Sequence, residues 1–525
     1  MTQSNDNRWV KSVTLSPPSL GDNTADADRL EAALKKVLST DAVFMDLDLV
    51  KTLPTLLRQW NYRATAVLFK DSSGAEILVH LAAPDAVDAL CGLAVDLGTT
   101  RVVLRLIDLS TGEHRGESVF DNPQIAVGPD VLARIHHVEK PGGLNQLNRL
   151  IIDGINDQLR ALCSRCGISP ENIHLMSVAG NTAMTHLLLG LNPRWMIREP
   201  YIPAINRPGV CKATELDINV HPNARVLVFP NVGSYFGGDL IAGILYCDMD
   251  RRKETAILVD VGTNAEVVLG NRNWMMACAG AAGPALEGGV TRMGATAGPG
   301  VIDRIAIDPN TLAFDIHTIE DQPPRGICGS GVIDLAAALF QSAMIDIRGK
   351  LLPERCGDRF KVKDGLGHLT IVPAGQSATG EDLCLTQADL DSLIRSKAAM
   401  YTILETITGS VGIKQKDLNT FFVAGTFGAY IDPQSAIAIG MIPDLPLERY
   451  RSLGNSSLGG ATRVLEDPGC FDRVNQIRDV ITYMELNVNQ DFMNRFSAAK
   501  FLPHTDTSRF PTVRPPSCPQ VPRKK

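Results

Sequence analysis

CGLAVDLGTTRVVLRLIDLSTG, residues 91–112, decides how the rest of the chain is read, together with a second copy, TAILVDVGTNAEVVLG, residues 255–270. In each, an apolar strand ends in an Asp, turns through Gly and Thr, and returns as a second β-branched strand. Glycine at 98 and 262 permits backbone conformations that other residues resist and brings no Cβ. The N–H groups of Gly98, Thr99 and Thr100, and of Gly262, Thr263 and Asn264, can therefore converge on one anion, with the hydroxyls of Thr99, Thr100 and Thr263 as further donors. Asp96 and Asp260 stand at the strand ends. A carboxylate there suits a hard cation such as Mg²⁺, held through its water shell, rather than a like-charged phosphate. One such turn is ordinary hairpin punctuation. Two copies, their aspartates 164 positions apart (260 minus 96), point to a duplicated phosphate-holding element.

Length and composition set the frame around these hairpins. With 525 residues and 44% apolar content, the chain can build several cores and is too long for one, so two to four domains are expected. A net charge of −7 with both signs interspersed gives no nucleic-acid footprint. The start is polar and no run of about 18 apolar residues occurs, so the chain reads as cytoplasmic and without a membrane partner. Its 11 cysteines are scattered through a large chain, which favours reduced thiols. Cys163 and Cys166 form a lone C-x-x-C at the end of a helical segment, either structural or half of a zinc site. Neither the plant-type C-x₄-C-x₂-C spacing nor C-x₂-C-x₂-C is present, so no iron–sulfur cluster is expected.

Taken in order, residues 1–90 read as a small α+β domain with strands near 9–15, 64–70 and 76–80 and helices over 25–38 and 50–60. Residues 91–247 follow as a first α/β half. Within it VAGNTAMTHLLLG, ending at Gly190, is a strand meeting a helix start, with Asn181 or Thr182 as the cap. Gly237-Gly238-Asp239 precedes an apolar helix whose small residues allow close packing. Asp239 stands in its first turn, where capping alone explains it and a catalytic role is the alternative. Residues 248–502 read as a second half. FFVAGTFGAYIDP, residues 421–433, is another strand and glycine turn, where Gly425, Thr426 and Gly428 leave room for a flat base or ribose. Gly454, Gly459 and Gly460 open a further closely packed helix. Residues 503–525 are Pro-rich and basic and are expected to be disordered.

These elements, in this order, resemble the sugar kinase, actin and Hsp70 superfamily. The phosphate motifs correspond to 96–100 and 260–264, the adenosine motif to 423–428, and the connecting helices to 237–246 and 454–464. The resemblance implies a duplicated actin/Hsp70-like (ASKHA, ribonuclease H-like) α/β ATPase whose halves close over ATP and Mg²⁺, plus the small N-terminal α+β domain. Within that superfamily VAGNTAMTHLLLG, GAAGPALEGG, ICGSGVIDL, VAGTFGAYIDP and YMELNVNQDF are similar to the reductive activators of corrinoid-dependent proteins, and residues 1–90 look like the middle domain of that family.

The family resemblance implies an ATP-dependent activator that returns a corrinoid protein of a methyltransferase system from Co(II) to Co(I). Family members usually carry a [2Fe–2S] domain, and this sequence lacks its cysteine spacing, so a separate donor such as a ferredoxin would supply the electron. A homodimer is compatible with this picture. A small-molecule kinase of the same fold and an Hsp70-like client-binding protein are the competing readings. All three share one set of site residues. Gly98, Thr99, Thr100, Gly262, Thr263 and Asn264 hold phosphates, and Asp96 and Asp260 organise Mg²⁺. Asp239 positions or activates the attacking water, and Gly425, Thr426 and Gly428 accommodate the adenosine.

Overall fold

The computed structural model describes residues 9–71, 73–84, 90–262, 264–281, 291–425, 431–486 and 491–514. The chain divides into two units, one comprising residues 1–250 with 456–481, the other residues 251–455 with 482–525. The first unit therefore takes back a C-terminal segment that a linear reading assigns to the second half. The sequence reading sets its boundaries at 247 and 502.

The first unit begins with a four-stranded sheet of β1 (Val10–Thr14), β2 (Val43–Met45), β3 (Arg63–Lys70) and β4 (Glu76–Ala82), in the order β1-β3-β4-β2. Helices α1 (Asp26–Leu38) and α2 (Leu47–Gln59) cover it. Their apolar positions recur every four residues, so Leu30 and Leu34 of α1 and Leu49, Leu53 and Leu57 of α2 form one buried stripe each. These stripes meet Ala64, Ala66 and Leu68 of β3 in a separate small core.

The same unit then builds a six-stranded sheet. Strands β5 (Cys91–Leu97), β6 (Arg101–Asp108) and β7 (His114–Asp121) form an antiparallel meander, β8 (Ile173–Gly180) and β10 (Arg225–Val228) add in parallel, and β9 (Gly209–Lys212) closes the edge. Every residue of β8 is buried, as a strand covered on both faces requires. The long helix α4 (Gly143–Cys166) lays Leu147, Ile151, Ile155, Leu159 and Leu162 onto this sheet.

Two glycine-bearing helices complete the unit. The helix α6 (Gly238–Tyr246) packs on the Ser456–Glu466 helix. A Cβ on Gly460 would sit 2.1 Å from the Ala242 carbonyl oxygen, and one on Gly459 2.5 Å from the Tyr246 ring. The close approach expected of the two connecting helices is thus present, shifted two residues from the expected 454–464.

The second unit repeats the topology. Its main sheet runs Tyr450–Gly454, Thr420–Ala424, Ala256–Val261, Asn264–Asn271, Trp274–Ala281 and Ile481–Tyr483. Again three antiparallel strands in sequence are followed by two that add in parallel. This is the duplicated α/β architecture the two D-x-G-T hairpins called for. Between the third and fourth strands lie two three-stranded sheets, the helix Gly329–Gln341 and the 24-residue helix Gln387–Ser410.

Residues 503–514 are not the disordered tail read from their composition. Phe510 is buried against Tyr401, and the fully buried Lys397 donates to the carbonyl oxygens of Phe501 and Pro503 at 2.6 and 2.7 Å. Prolines and basic residues described the surface of this segment, while one aromatic side chain and a buried lysine amine hold it. Among the described residues no helix is long and apolar enough to cross a membrane.

Candidate functional site

The first phosphate turn sits where β5 hands over to β6. A Cβ on Gly98 would fall 2.2 Å from the Arg101 carbonyl oxygen. Gly98 is therefore required by close backbone approach rather than by the unusual φ expected of it.

The carbonyl oxygens of the turn are all taken. Asn122 accounts for two of them, its Nδ2 donating to Gly98 O at 2.9 Å and its backbone N–H to Thr100 O at 2.8 Å. Arg134 donates to Thr99 O at 2.6 Å. With its oxygens engaged by these donors, the turn offers N–H groups and hydroxyls to an incoming anion, which is the polarity a phosphate needs. Arg134 is fully buried in α3 (Val131–Val138) and also bonds Gly128 O and Gln124 Oε1. Burial holds its guanidinium down at about 10, still cationic at neutral pH.

Around this turn the fold gathers three more groups. Asp96, half-buried at the end of β5, accepts a hydrogen bond from Ser457 Oγ at 2.8 Å. Asn181, next after β8, caps α5 (Thr182–Leu188) through its Oδ1 and donates from Nδ2 to Thr99 Oγ1 at 2.9 Å. Gly237 abuts Asn181, its hypothetical Cβ lying 2.5 Å from the Asn181 Cα and 2.6 Å from Asp239 Oδ1. Asp239 itself accepts from the Leu240 N–H in the first turn of α6. Asp96, Gly98, Thr99, Asn181 and Asp239 are thus brought to one end of the sheet, where β5 and β8 finish side by side with Leu97 opposite Gly180. Ligands of α/β sheets bind at that end, outside the carboxyl termini of parallel strands.

The second unit arranges its own copy. Asp260 pairs with Ala424 on the neighbouring parallel strand and with Glu266 on the antiparallel one. Gly425 follows Ala424 in left-handed backbone at φ 82°, and a Cβ there would lie 2.8 Å from Asp260 Oδ1. The second phosphate motif and the start of the adenosine motif are therefore adjacent. One expectation needs correction: the Gly262 N–H donates to Asn264 O at 2.9 Å, closing the turn on itself, and is not available to a phosphate. Thr263, Thr426 and Gly428 lie outside the described residues.

Three contributors escaped the sequence reading: Asn122, Arg134 and Ser457. Nothing in the surrounding residue pattern marks them, since each reaches the turn only through the tertiary fold. Cys163 and Cys166 lie on one face of α4. Cys163 is buried, which pushes its thiol up to about 11, and Cys166 donates to Arg115 O, so the pair is a packing feature.

Comparison with known proteins matches most of the chain to one family. Residues 7–86 match the RACo linker region, 91–252 the RACo middle region, and 254–514 the C-terminal domain of RACo, the ASKHA domain. The likeness of residues 1–90 to the middle domain is therefore corrected: the small sheet is the linker, and the middle region is the first large half. The chain is similar to the corrinoid activation enzyme RamQ of Eubacterium limosum, with 30% identity over 432 residues, covering 81% of this chain and 72% of that one. It is also 24% identical over 440 residues to the Co(II) methylated amine-specific corrinoid protein reductase of Methanosarcina barkeri, covering 77% of this chain and 75% of that protein. The solved structure of a reductive activator for corrinoid, iron-sulfur protein aligns with a TM-score of 0.86 and 36% identity, over 97% of this chain and 81% of that one.

Proposed function

Because the chain belongs to the RACo family of corrinoid-protein activators, we propose that it couples binding and hydrolysis of ATP to the return of a corrinoid protein from Co(II) to Co(I). The observation that carries the ATP half of this reading is the turn at residues 98–100, whose carbonyls are all engaged by buried donors beside the carboxylates of Asp96 and Asp239. The corrinoid half rests on the relatives, which are corrinoid activators or reductases by name. A metabolite kinase on the same fold is the less favoured reading for that reason.

The residues fit a magnesium nucleotide. Asp96 is oriented by the Ser457 hydroxyl at the end of β5, and the Gly98 cradle admits no side chain. Bound Mg²⁺ would supply charge neutralisation to the phosphates, and Asp96 of the first unit would hold it through water; Asp260 is the equivalent carboxylate of the second unit. Within the first unit the turn N–H groups and the Thr99 and Thr100 hydroxyls orient the phosphate chain and Asp239 positions the attacking water; within the second, Gly425 leaves space for a nucleoside. Reduction of Co(II) to Co(I) takes one electron. Its proposed source is a separate reduced carrier of ferredoxin type.

The test is ATP turnover with and without a corrinoid protein, followed in parallel with the cobalt absorption under a low-potential reductant. Turnover stimulated by the Co(II) corrinoid protein and ATP-dependent appearance of Co(I) are expected. Asp260→Asn should depress hydrolysis by about 10²-fold or more with an unchanged melting temperature. Phosphate transfer to a metabolite, with no response to the corrinoid protein, would overturn the proposal.

A further inference from the structure

Three histidines from distant parts of the sequence converge on the first unit, away from the phosphate turn. His80 comes from β4 of the small sheet, His174 from the start of β8, and His221 from the connection leading to β10. Their ring centroids are 4.4 Å (His80 to His174), 4.8 Å (His80 to His221) and 4.7 Å (His174 to His221) apart. One ring nitrogen from each lies within 4.8 Å of the other two.

Packing alone does not account for this trio. His174 is only 2% exposed, yet its Nδ1 has no hydrogen-bond partner. A buried polar atom left unmatched is costly and calls for a ligand. The backbone is also shaped to present it. Along the β5/β8 pairing Cys91 lies opposite Ile173 and Gly92 opposite Leu175, so His174 is the extra residue of a β-bulge. His80 adjoins a second irregularity, where Val67 pairs with His80 but Leu68 with Leu78. Bulges of this kind re-aim side chains. His221 is tied in place by its own N–H to Ile173 O, and its Nδ1 accepts from the Asn223 N–H, leaving Nε2 for a ligand.

From this convergence we infer a metal site: His80, His174 and His221 bind one divalent transition ion, Zn²⁺ above all, pinning the small N-terminal sheet to the β5–β10 sheet. Three imidazoles and no sulfur form the donor set suited to Zn²⁺, Ni²⁺ or Cu²⁺ rather than to Mg²⁺ or Ca²⁺. Ligation needs neutral imidazoles, and burial lowers the proton affinity of all three. Tetrahedral coordination at about 2.0–2.1 Å sets nitrogens about 3.4 Å apart. Rotation of the rings closes the remaining gap, and on His174 it breaks no Nδ1 hydrogen bond. His174 is the second residue of the strand that Gly180 closes, and six residues of strand span about 20 Å, so this ion is remote from the phosphate turn and structural in role.

The test uses the full chain, stripped with chelator and kept in excess Mg²⁺ without nucleotide. Titration with Co²⁺ should give one equivalent with the visible d–d bands of a tetrahedral nitrogen site, and Zn²⁺ should displace it and raise the melting temperature. His80→Gln and His221→Gln, at the two less buried positions, should each weaken Co²⁺ binding at least about tenfold. Should either variant fail to fold, X-ray absorption of the wild-type Co²⁺ form decides, with three imidazole shells expected. No binding, fewer than two imidazoles, or undiminished affinity in both folded variants would overturn the assignment.

Discussion

Ser457 donates its hydroxyl to Asp96 Oδ1 at 2.8 Å although 361 positions separate the two residues. The bond ties the end of β5 to the start of the Ser456–Glu466 helix, the C-terminal segment that the first unit takes back. A carboxylate that must organise a hydrated cation benefits from a fixed rotamer, and the Ser457 hydroxyl helps to fix it.

Ser457→Ala should therefore lower ATP hydrolysis by about 5–50-fold, while costing only about 1 kcal/mol of stability, the net worth of one hydrogen bond. Asp96→Asn should lose more activity and as little stability. Steady-state phosphate release, with chemical denaturation of the same preparations, reads both.

Arg134 offers a contrasting prediction. Its guanidinium is fully buried and donates to Thr99 O, Gly128 O and Gln124 Oε1. Arg134→Met keeps much of the volume but strands those acceptors, so a loss of about 3–5 kcal/mol is expected. Arg134→Lys supplies one point donor for a fork and should recover only part of it. Urea denaturation of the three proteins measures the ordering.

Much of this was legible in the chain. The two D-x-G-T hairpins announced a duplicated α/β fold because short-range signals, an apolar strand and a glycine turn, survive in sequence without tertiary help. The approach of α6 to the Gly459–Gly460 pair was readable for the same reason. Asn122, Arg134, Ser457 and the three histidines were not, since each acts across a long sequence separation and carries no periodic mark. The return of residues 456–481 to the first unit was hidden likewise, because a linear scan meets that segment only after residues 251–455 of the second unit. Gly262 was misread because a local hydrogen bond to Asn264 competes for the N–H that was assigned to an anion.

Gly460 tests the helix crossing. With only 2.1 Å between a new Cβ and Ala242 O, Gly460→Ala must push the helices apart, and a cost of at least about 1–3 kcal/mol is expected despite the better helix propensity of alanine. Gly375 is the control, being exposed with open space around it, and Gly375→Ala should change stability by about 0.5 kcal/mol or less. Equal effects at the two glycines in denaturation midpoints would contradict the packing described for the crossing.

Asp334 gives the pH prediction. It lies in the Gly329–Gln341 helix, and burial, with the charges of Asp432 and Asp303, lifts its carboxyl to about 6 against the usual 3.8, while Ser435 pulls the other way. The folded state thus binds this proton more tightly than the unfolded one. Its contribution is fully present below about pH 4 and is lost as pH rises through about 6, above which the ionised carboxylate is a burden on the fold. Asp334→Asn removes that burden. The variant should be more stable than the wild type by about 1–2 kcal/mol at pH 8, after allowance for solvent screening, and the gap should close as pH falls toward 4. Hydrogen exchange across residues 329–341 at the two pH values follows the local unfolding of the helix. A gap that is constant with pH would mean that Asp334 does not titrate in this window.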